Sequence, residues 1–295
     1  MTAFRSIHII YNPVSTGKSK SNALALHKKL IKMLPSIPIH ITATKHAGHA
    51  EEIAYSIARK YVKPLIISSS GDGGYNEVIN GVMRAGSKAK NPVCAVLASG
   101  NANDHSRTMQ TRPLWQAIVE GEVTNIDLLK FTVVAEGSKT VRYAHSYAGL
   151  GLTPAVAKEV NAHSFNRWQE FVMVFKVFFA YKPFKIKHAG KTLLLDNIVF
   201  SNINQMAKVF ILTKQNNPDD GQFRVIIFAH TKKRLLAFKI VKAIFGRLEE
   251  AITTKSYEFT VVKQMSMQLD GELIDLKAGS TVCVQAQKHG LATVI

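Results

Sequence analysis

The stretch SSSGDGGYNEVING, Ser68 to Gly81, decides the fold. It follows an apolar run, Leu65 to Ser68, with the character of a buried strand, and it leads into a helix expected over Asn76 to Arg84. A strand that empties into a Gly/Ser/Asp-rich loop and then a helix is the unit of a mostly parallel sheet. Two other stretches have the same form: YNPVSTGKSKS (Tyr11 to Ser21) and LASGNANDHSR (Leu97 to Arg107). Around them, strand-like runs Ile7 to Tyr11, Ile37 to Ile41 and Pro92 to Leu97 alternate with helical stripes over Ser19 to Leu34 and Gly48 to Tyr61. In an open α/β sheet, ligands collect at the carboxyl ends of the strands, where all three loops fall. Glycines there let the backbone approach a phosphate, and the following helix presents unpaired N–H groups to it. Asp72 and Asp104 lie inside two of the loops. A carboxylate repels a phosphate unless a cation stands between them, so the pattern implies Mg²⁺. STGKSKS lacks the spacing of a Walker A loop, because no glycine precedes Gly17 by five residues.

Near Asp127 the rhythm changes to successive strand-like runs: Leu128 to Ala135, Val141 to Ser146, Leu193 to Ser201, Phe223 to Phe228, Phe259 to Val262, Met265 to Leu269 and Thr281 to Val284. Helical segments are expected near Pro154 to Asn161, Asn166 to Tyr181 and Lys232 to Gly246. This predicts two domains, an α/β domain over 1–128 and a β-rich sandwich over 129–295, with the last few residues able to rejoin the first.

The composition narrows the classes. The chain of 295 residues carries 38 Lys+Arg against 20 Asp+Glu, a net charge of +18, and is 46% apolar. It is therefore a folding chain with anionic partners, for which nucleic acid, an anionic lipid surface and a phosphorylated substrate all qualify. Two cysteines, Cys94 and Cys283, make neither a disulfide scaffold nor a zinc site. The N-terminal apolar run is too short for a signal peptide, and Phe171 to Tyr181, broken by Lys176, is about half of a bilayer span. A cytoplasmic chain, peripheral at the inner face of the membrane, is the expectation.

The order of NPxS, GDGxxxEVxNG and GxxND, followed by DG (Asp220, Gly221) and DGE (Asp270, Gly271, Glu272), resembles the diacylglycerol kinase catalytic-domain family, including bacterial diacylglycerol and sphingosine kinase-like enzymes. The resemblance covers nearly the whole chain, and GDGGYNEVINGV is its most specific part. It implies a Rossmann-like α/β domain of the NAD kinase and phosphofructokinase type, a β-sandwich lipid-binding domain, and ATP with Mg²⁺ held between them. On the same resemblance Asn12, Pro13, Ser15 and Thr44 match nucleotide contacts. So do Ser70, Gly71, Asp72, Gly73 and Gly74, with Glu77 and Asn80 bracing that loop, and Gly100, Asn101 and Asn103 in the third. Asp72, Asp104 and Asp127 form the acidic network. Asp270 and Glu272 match the metal contact and general base, and Asp219 and Asp220 a second, structural Mg²⁺ position. Three positions depart from the pattern. GGDGT reads Ser70-Gly71-Asp72-Gly73-Gly74, the GT of the third loop reads Gly100-Asn101 after Ala98, and an Asp expected after GLG is Thr153.

The activity that the resemblance implies is that of an ATP-dependent lipid kinase acting on a hydroxyl of diacylglycerol or a related membrane lipid. A catalytically degenerate nucleotide- or lipid-binding relative and a kinase of a soluble NAD-like substrate stand as alternatives. The excess of bases is heavier after residue 128. Phe165 to Lys187 interleaves aromatics with bases, and Thr231 to Arg247 reads as a basic amphipathic helix suited to an anionic membrane surface, with packing on the β-rich half as the other reading of both. No nucleic-acid motif is present, a homodimer is allowed, and the His46/His49 pair reads as capping and packing rather than metal.

Overall fold

The computed structural model describes residues 3–15, 17–162, 167–206, 210–211, 217–244 and 251–295. The chain divides into two units, Met1–Leu128 with Lys288–Ile295, and Leu129–Gln287.

In the first unit the elements run β1 (Ser6–Tyr11), α1 (Ser19–Met33), β2 (Ile39–Ala43), α2 (His49–Lys60), β3 (Pro64–Ser70), α3 (Asp72–Ala85), β4 (Val93–Ala98), α4 (Asp104–Met109) and α5 (Leu114–Glu120). β2, β1, β3 and β4 pair in that order, all parallel. Thr293 adds a further parallel strand opposite Cys94. β1 and β3 are buried on both faces, which is why their sequences read as unbroken apolar or small-residue runs rather than as alternation. One face carries Ile7, Ile9, Leu65, Ile67, Val93 and Ala95 against Ala23, Leu26 and Leu30 of α1 and Leu114 and Ala117 of α5. α2 begins behind Gly48 in the left-handed region (φ 80°), with Glu51 and Glu52 in its first turn and Arg59 and Lys60 in its last, the order that the helix dipole favours. α2 and α3 touch so closely at Gly81 that a Cβ there would lie 2.2 Å from the Glu51 carbonyl oxygen. α3 starts at Asp72, four residues before the sequence suggests, because Gly73 and Gly74 are taken into its first turn; the Tyr75 N–H already donates to the Gly71 carbonyl (3.2 Å).

His8 of β1 is buried. Its ring stacks on His40 of β2 (4.8 Å between centroids) and lies 4.4 Å from Tyr61. Burial first, and then His40 and Lys60, lower its pKa from 6.5 to about 4. An unfolded chain therefore binds this proton below pH 6.5 while the folded one refuses it until about pH 4. Stability is expected to fall as pH drops through that window, by about 2 kcal/mol from this residue. Denaturant melts of wild type and His8→Gln at about pH 7 and about pH 4.5 measure it: the variant's stability should change less with pH, and equal slopes would refute the assignment.

The second unit comprises the later part of β5 (Thr124–Ala135), then β6 (Ser138–Ala144), β7 (Tyr147–Gly151), α6 (Leu152–Ala162), α7 (Arg167–Ala180), β8 (Phe184–His188), β9 (Lys191–Ser201), β10 (Gln205–Met206), β11 (Phe210–Ile211), β12 (Phe223–Ala229), α8 (Lys233–Ile244), β13 (Ala251–Thr254), β14 (Ser256–Val261), β15 (Met265–Leu269), β16 (Glu272–Leu276) and the first part of β17 (Thr281–Thr293). It is β-rich and antiparallel. β9 pairs with β8 through its first half and with β7 through its second, and β12 lines its other edge. These strands wrap a core that includes Phe131, Leu150, Ile186, Ile198, Phe200, Phe223, Phe259 and Val282. β17 runs to Thr293 although only Thr281 to Val284 looks strand-like, because Gln285 to Gly290 are polar or small and none of them is buried.

Residues 163–166 and 245–250, which include His163 and parts of both basic, aromatic-rich segments, lie outside the described residues. Among the described residues no helix is long and apolar enough to cross a membrane.

Candidate functional site

Three loops meet at the carboxyl ends of β1, β3 and β4, and serine hydroxyls tie them together. Ser69 Oγ donates to the Ser19 carbonyl (2.9 Å), Ser19 Oγ donates in return to the Ser69 carbonyl, and the Asn12 N–H donates to Ser19 Oγ (3.1 Å). Ser99 Oγ joins Ser69 Oγ (3.2 Å) and accepts from Asn22 Nδ2 (3.0 Å), while the Ser99 N–H donates to the Ser70 carbonyl (2.9 Å). The backbones approach without side chains between them. A Cβ on Gly100 would lie 2.2 Å from Gly71 Cα, and one on Gly17 would lie 1.9 Å from the Ser99 carbonyl oxygen. These contacts, rather than turn conformation, are what require glycine at 17 and 100; a Cβ at 71 would make a tight contact of 3.0 Å with Gly100 Cα.

The acidic residues are fixed by the same loops. Asp72 is buried, and its two carboxylate oxygens accept the N–H groups of Asp104 (2.9 Å) and His105 (3.1 Å), so the first residue of α3 holds the first turn of α4. Asp104 is fully buried and forms an ion pair with Arg107. Asn103, in the left-handed region (φ 53°), closes its loop from both sides: its Oδ1 accepts from the Gly100 N–H and its Nδ2 donates to the Gly100 carbonyl, each at 2.8 Å. Asn12 holds the first loop through its Oδ1, which accepts from the Val14 N–H (3.0 Å); Pro13 and Asn101 are exposed and Ser15 is half-buried. Thr44 leaves β2 with its N–H on the Tyr11 carbonyl (2.9 Å). Asp127 is buried and accepts the His289 N–H (2.7 Å). Glu77 does not brace the glycine loop directly. Its carboxylate accepts from the N–H groups of Gly48 (3.0 Å) and Ala50 (3.2 Å), capping α2 from α3, while Asn80 donates to Asn76 within α3.

In the second unit, Asp270 and Glu272 flank Gly271 at the β15–β16 turn with opposite surroundings. Asp270 is fully buried in the left-handed region (φ 48°). Its carboxylate accepts the N–H groups of His145 (2.7 Å), Ser146 (3.0 Å) and Tyr147 (2.9 Å), with His145 Nε2 at 3.4 Å. Glu272 is exposed. Asp219 is exposed, and Asp220 accepts from the Gln222 N–H (2.8 Å) and pairs with Arg224 (3.2 Å). Thr153, which stands where an aspartate was expected, gives its N–H and hydroxyl to Asn197 Oδ1 and accepts from Asn197 Nδ2, a neutral pair that leaves neither residue charged.

Among the described residues, His46, His49 and Glu52 form a group of possible metal ligands. The His49 Nδ1 accepts the Lys45 N–H (3.0 Å) from the chain before α2, and the His46 and His49 rings stack at 4.8 Å between centroids. Arg107, the counter-charge of Asp104, and the serines at 19, 69 and 99 are site residues that the sequence motifs do not mark. An i,i+3 Asp–Arg spacing signals the first; nothing in a run of serines tells a buried brace from a turn.

Comparison with known proteins finds kinases similar to this chain in sequence and fold. Residues 6–131 match the family model described as "Diacylglycerol kinase catalytic domain". A diacylglycerol kinase of Staphylococcus saprophyticus is 26% identical over 284 residues, covering 90% of this chain and 88% of that protein. A sphingoid long chain base kinase of Saccharomyces cerevisiae is 34% identical over 134 residues, 42% of this chain and 19% of that one. The crystal structure of a diacylglycerol kinase from Bacillus anthracis superposes with a TM-score of 0.72 at 19% identity, over 100% of this chain and 98% of that one. Yeast NADH kinase superposes with a TM-score of 0.52 at 9% identity, over 98% and 82%. The fold is therefore that of the diacylglycerol and NAD kinases, with a β-rich C-terminal part.

Proposed function

We propose, from the diacylglycerol kinase-like catalytic domain that residues 6–131 carry, that the protein transfers the γ-phosphoryl of ATP to a hydroxyl of diacylglycerol or a related membrane lipid. The observation that carries this reading is the meeting of three loops, in backbone contact at Gly17, Gly71 and Gly100, beside two adjacent buried carboxylates. Backbone N–H groups at the start of α3 suit phosphate oxygens, while those at the start of α4 are taken by Asp72. Asp72 and Asp104 set against Arg107 leave an acidic, all-oxygen donor set, which fits a hard divalent cation. When bound there, Mg²⁺ would neutralise the charge of the phosphates and draw electron density from the γ-phosphorus. Asp72 holds the third loop in place, Asn103 fixes its backbone, and Asp127 anchors the start of β5 to the returning chain end. Glu272, exposed on its turn, is the group proposed to take the proton of the attacking lipid hydroxyl.

The second unit suits lipid presented at an anionic surface. Leu235 and Phe238 of α8 are 49% and 55% exposed among bases, and Phe179 of α7 is 55% exposed. Lys233 joins the two helices, donating to the Phe178 (2.8 Å) and Tyr181 (2.6 Å) carbonyls.

The test is transfer of labelled γ-phosphate from ATP and Mg²⁺ into an extracted lipid pool presented in vesicles. A labelled lipid is expected, formed faster with more anionic lipid and slower with added salt. Measurable nucleotide binding with no labelled lipid would overturn the reading in favour of a non-catalytic binding protein.

A further inference from the structure

Gly74 has no conformational reason to be glycine. It lies in the first turn of α3 and outside the left-handed region, so any residue satisfies its backbone. What excludes a side chain is Ser70: a Cβ at 74 would lie 2.7 Å from both Cβ and Oγ of Ser70. The two positions compete for one space. The motif that this loop resembles has glycine at the first position and a hydroxyl-bearing threonine at the second; here the hydroxyl is on the first and glycine on the second. Either arrangement places one hydroxyl side chain in the space and two would collide, so the departures at 70 and 74 are a single exchange.

We propose that Ser70 is the positioning hydroxyl of the glycine loop in this protein, and that Gly74 is glycine because Ser70 is present. Ser70 is 9% exposed; its Oγ meets Ser68 Oγ at 2.7 Å and donates to the Gly71 carbonyl at 2.9 Å. It therefore orients the peptide that joins β3 to α3, next to the point where Gly71 and Gly100 meet, and so sets the direction of the N–H groups at the start of α3. The consequence for catalysis rests on the proposed kinase function, whereas the exchange itself does not.

The experiment is a double-mutant cycle with two readouts, thermal stability without ligand and KM against kcat for the nucleotide. Gly74→Thr is expected to lower the melting temperature and to weaken nucleotide binding by about tenfold or more, the scale of overpacking in a filled site. Gly74→Ala serves as the milder form if the threonine variant does not fold. Adding Ser70→Gly should restore both properties, with KM within about threefold of wild type. Ser70→Ala, which keeps the Cβ and removes only the hydroxyl, should raise the nucleotide KM about 3- to 10-fold with kcat little changed, the effect of one hydrogen bond. Additive effects of the two substitutions on melting temperature would overturn the exchange, whether or not the protein proves to be a kinase. An unchanged KM in an active Ser70→Ala variant would overturn the positioning role. If no substrate is turned over, nucleotide affinity replaces KM and decides by the same criterion.

Discussion

Asp270→Ala is expected to destabilise the second unit by about 3–5 kcal/mol, the scale at which one partner of a buried charged network is removed. Three consecutive backbone N–H groups, from His145 to Tyr147, end on this one carboxylate at a site closed to solvent. Alanine leaves all three without an acceptor, and each such donor costs about 1–3 kcal/mol. The melting temperature should fall by roughly 6–15 °C for a unit of this size. Asp270→Asn keeps one acceptor oxygen but turns an NH₂ group towards donors, so it should fall between alanine and wild type. A fall of less than about 2 °C in the alanine variant would contradict this account, because a loss within about 1 kcal/mol is what an ordinary surface substitution gives. The three N–H groups give Asp270 a bracing task beside the metal contact that the resemblance implies. Its neighbour two residues on carries the proposed chemistry.

Glu272→Gln is expected to leave the melting temperature within about 1–2 °C of wild type and to lower kcat by about 10²- to 10⁴-fold, the range for removal of a general base. Glu272 is exposed at the first residue of β16, and glutamine preserves its shape but not its charge or basicity. Nucleotide affinity should be unchanged, since the loops proposed to hold phosphate belong to the other unit. Isotope transfer from ATP and equilibrium nucleotide binding, measured on the same preparation, separate these effects. Near-normal turnover would remove Glu272 from the mechanism; lost binding would make it a nucleotide ligand instead.

Much of the fold was legible because both faces of β1 and β3 are buried and their sequences have no polar alternation to confuse the reading. α1 was legible from Ala23, Leu26 and Leu30. A helix after LASGNANDHSR was expected from the form of that loop, but the bounds of α4, and α5 altogether, were not legible: six and seven residues are too few to display a period. β8, β13 and β16 were missed because strand residues such as Lys185, Lys187, Glu272 and Asp275 face solvent and read as loop. At the candidate site, the spacing of Gly71, Asp72, Gly100 and Asp104 pointed to one place, and the fold brings them there. Spacing could not convey what each carboxylate touches. Asp72 and Asp270 look alike in sequence, each beside glycine, yet one holds a helix start and the other three N–H groups of a strand turn. Glu77 was expected, on the resemblance, to brace the glycine loop from the following helix; its carboxylate instead accepts from Gly48 and Ala50 at the start of α2.

The return of residues 288–295 to the first unit has a consequence for how the protein is made. Thr293 pairs beside Cys94, its hydroxyl meets that of Tyr75 at 3.1 Å, and the His289 N–H supplies a donor to Asp127. These links close contacts between residues synthesised up to 218 positions apart. On the ribosome, the first unit must therefore wait, with the edge of β4 uncovered and Asp127 lacking this N–H, while the whole of the second unit is translated. At about 5–20 residues per second this interval lasts on the order of ten seconds or more. During that time the uncovered edge is a template for pairing with other chains, a vulnerability that belongs to the nascent chain and not to the finished protein.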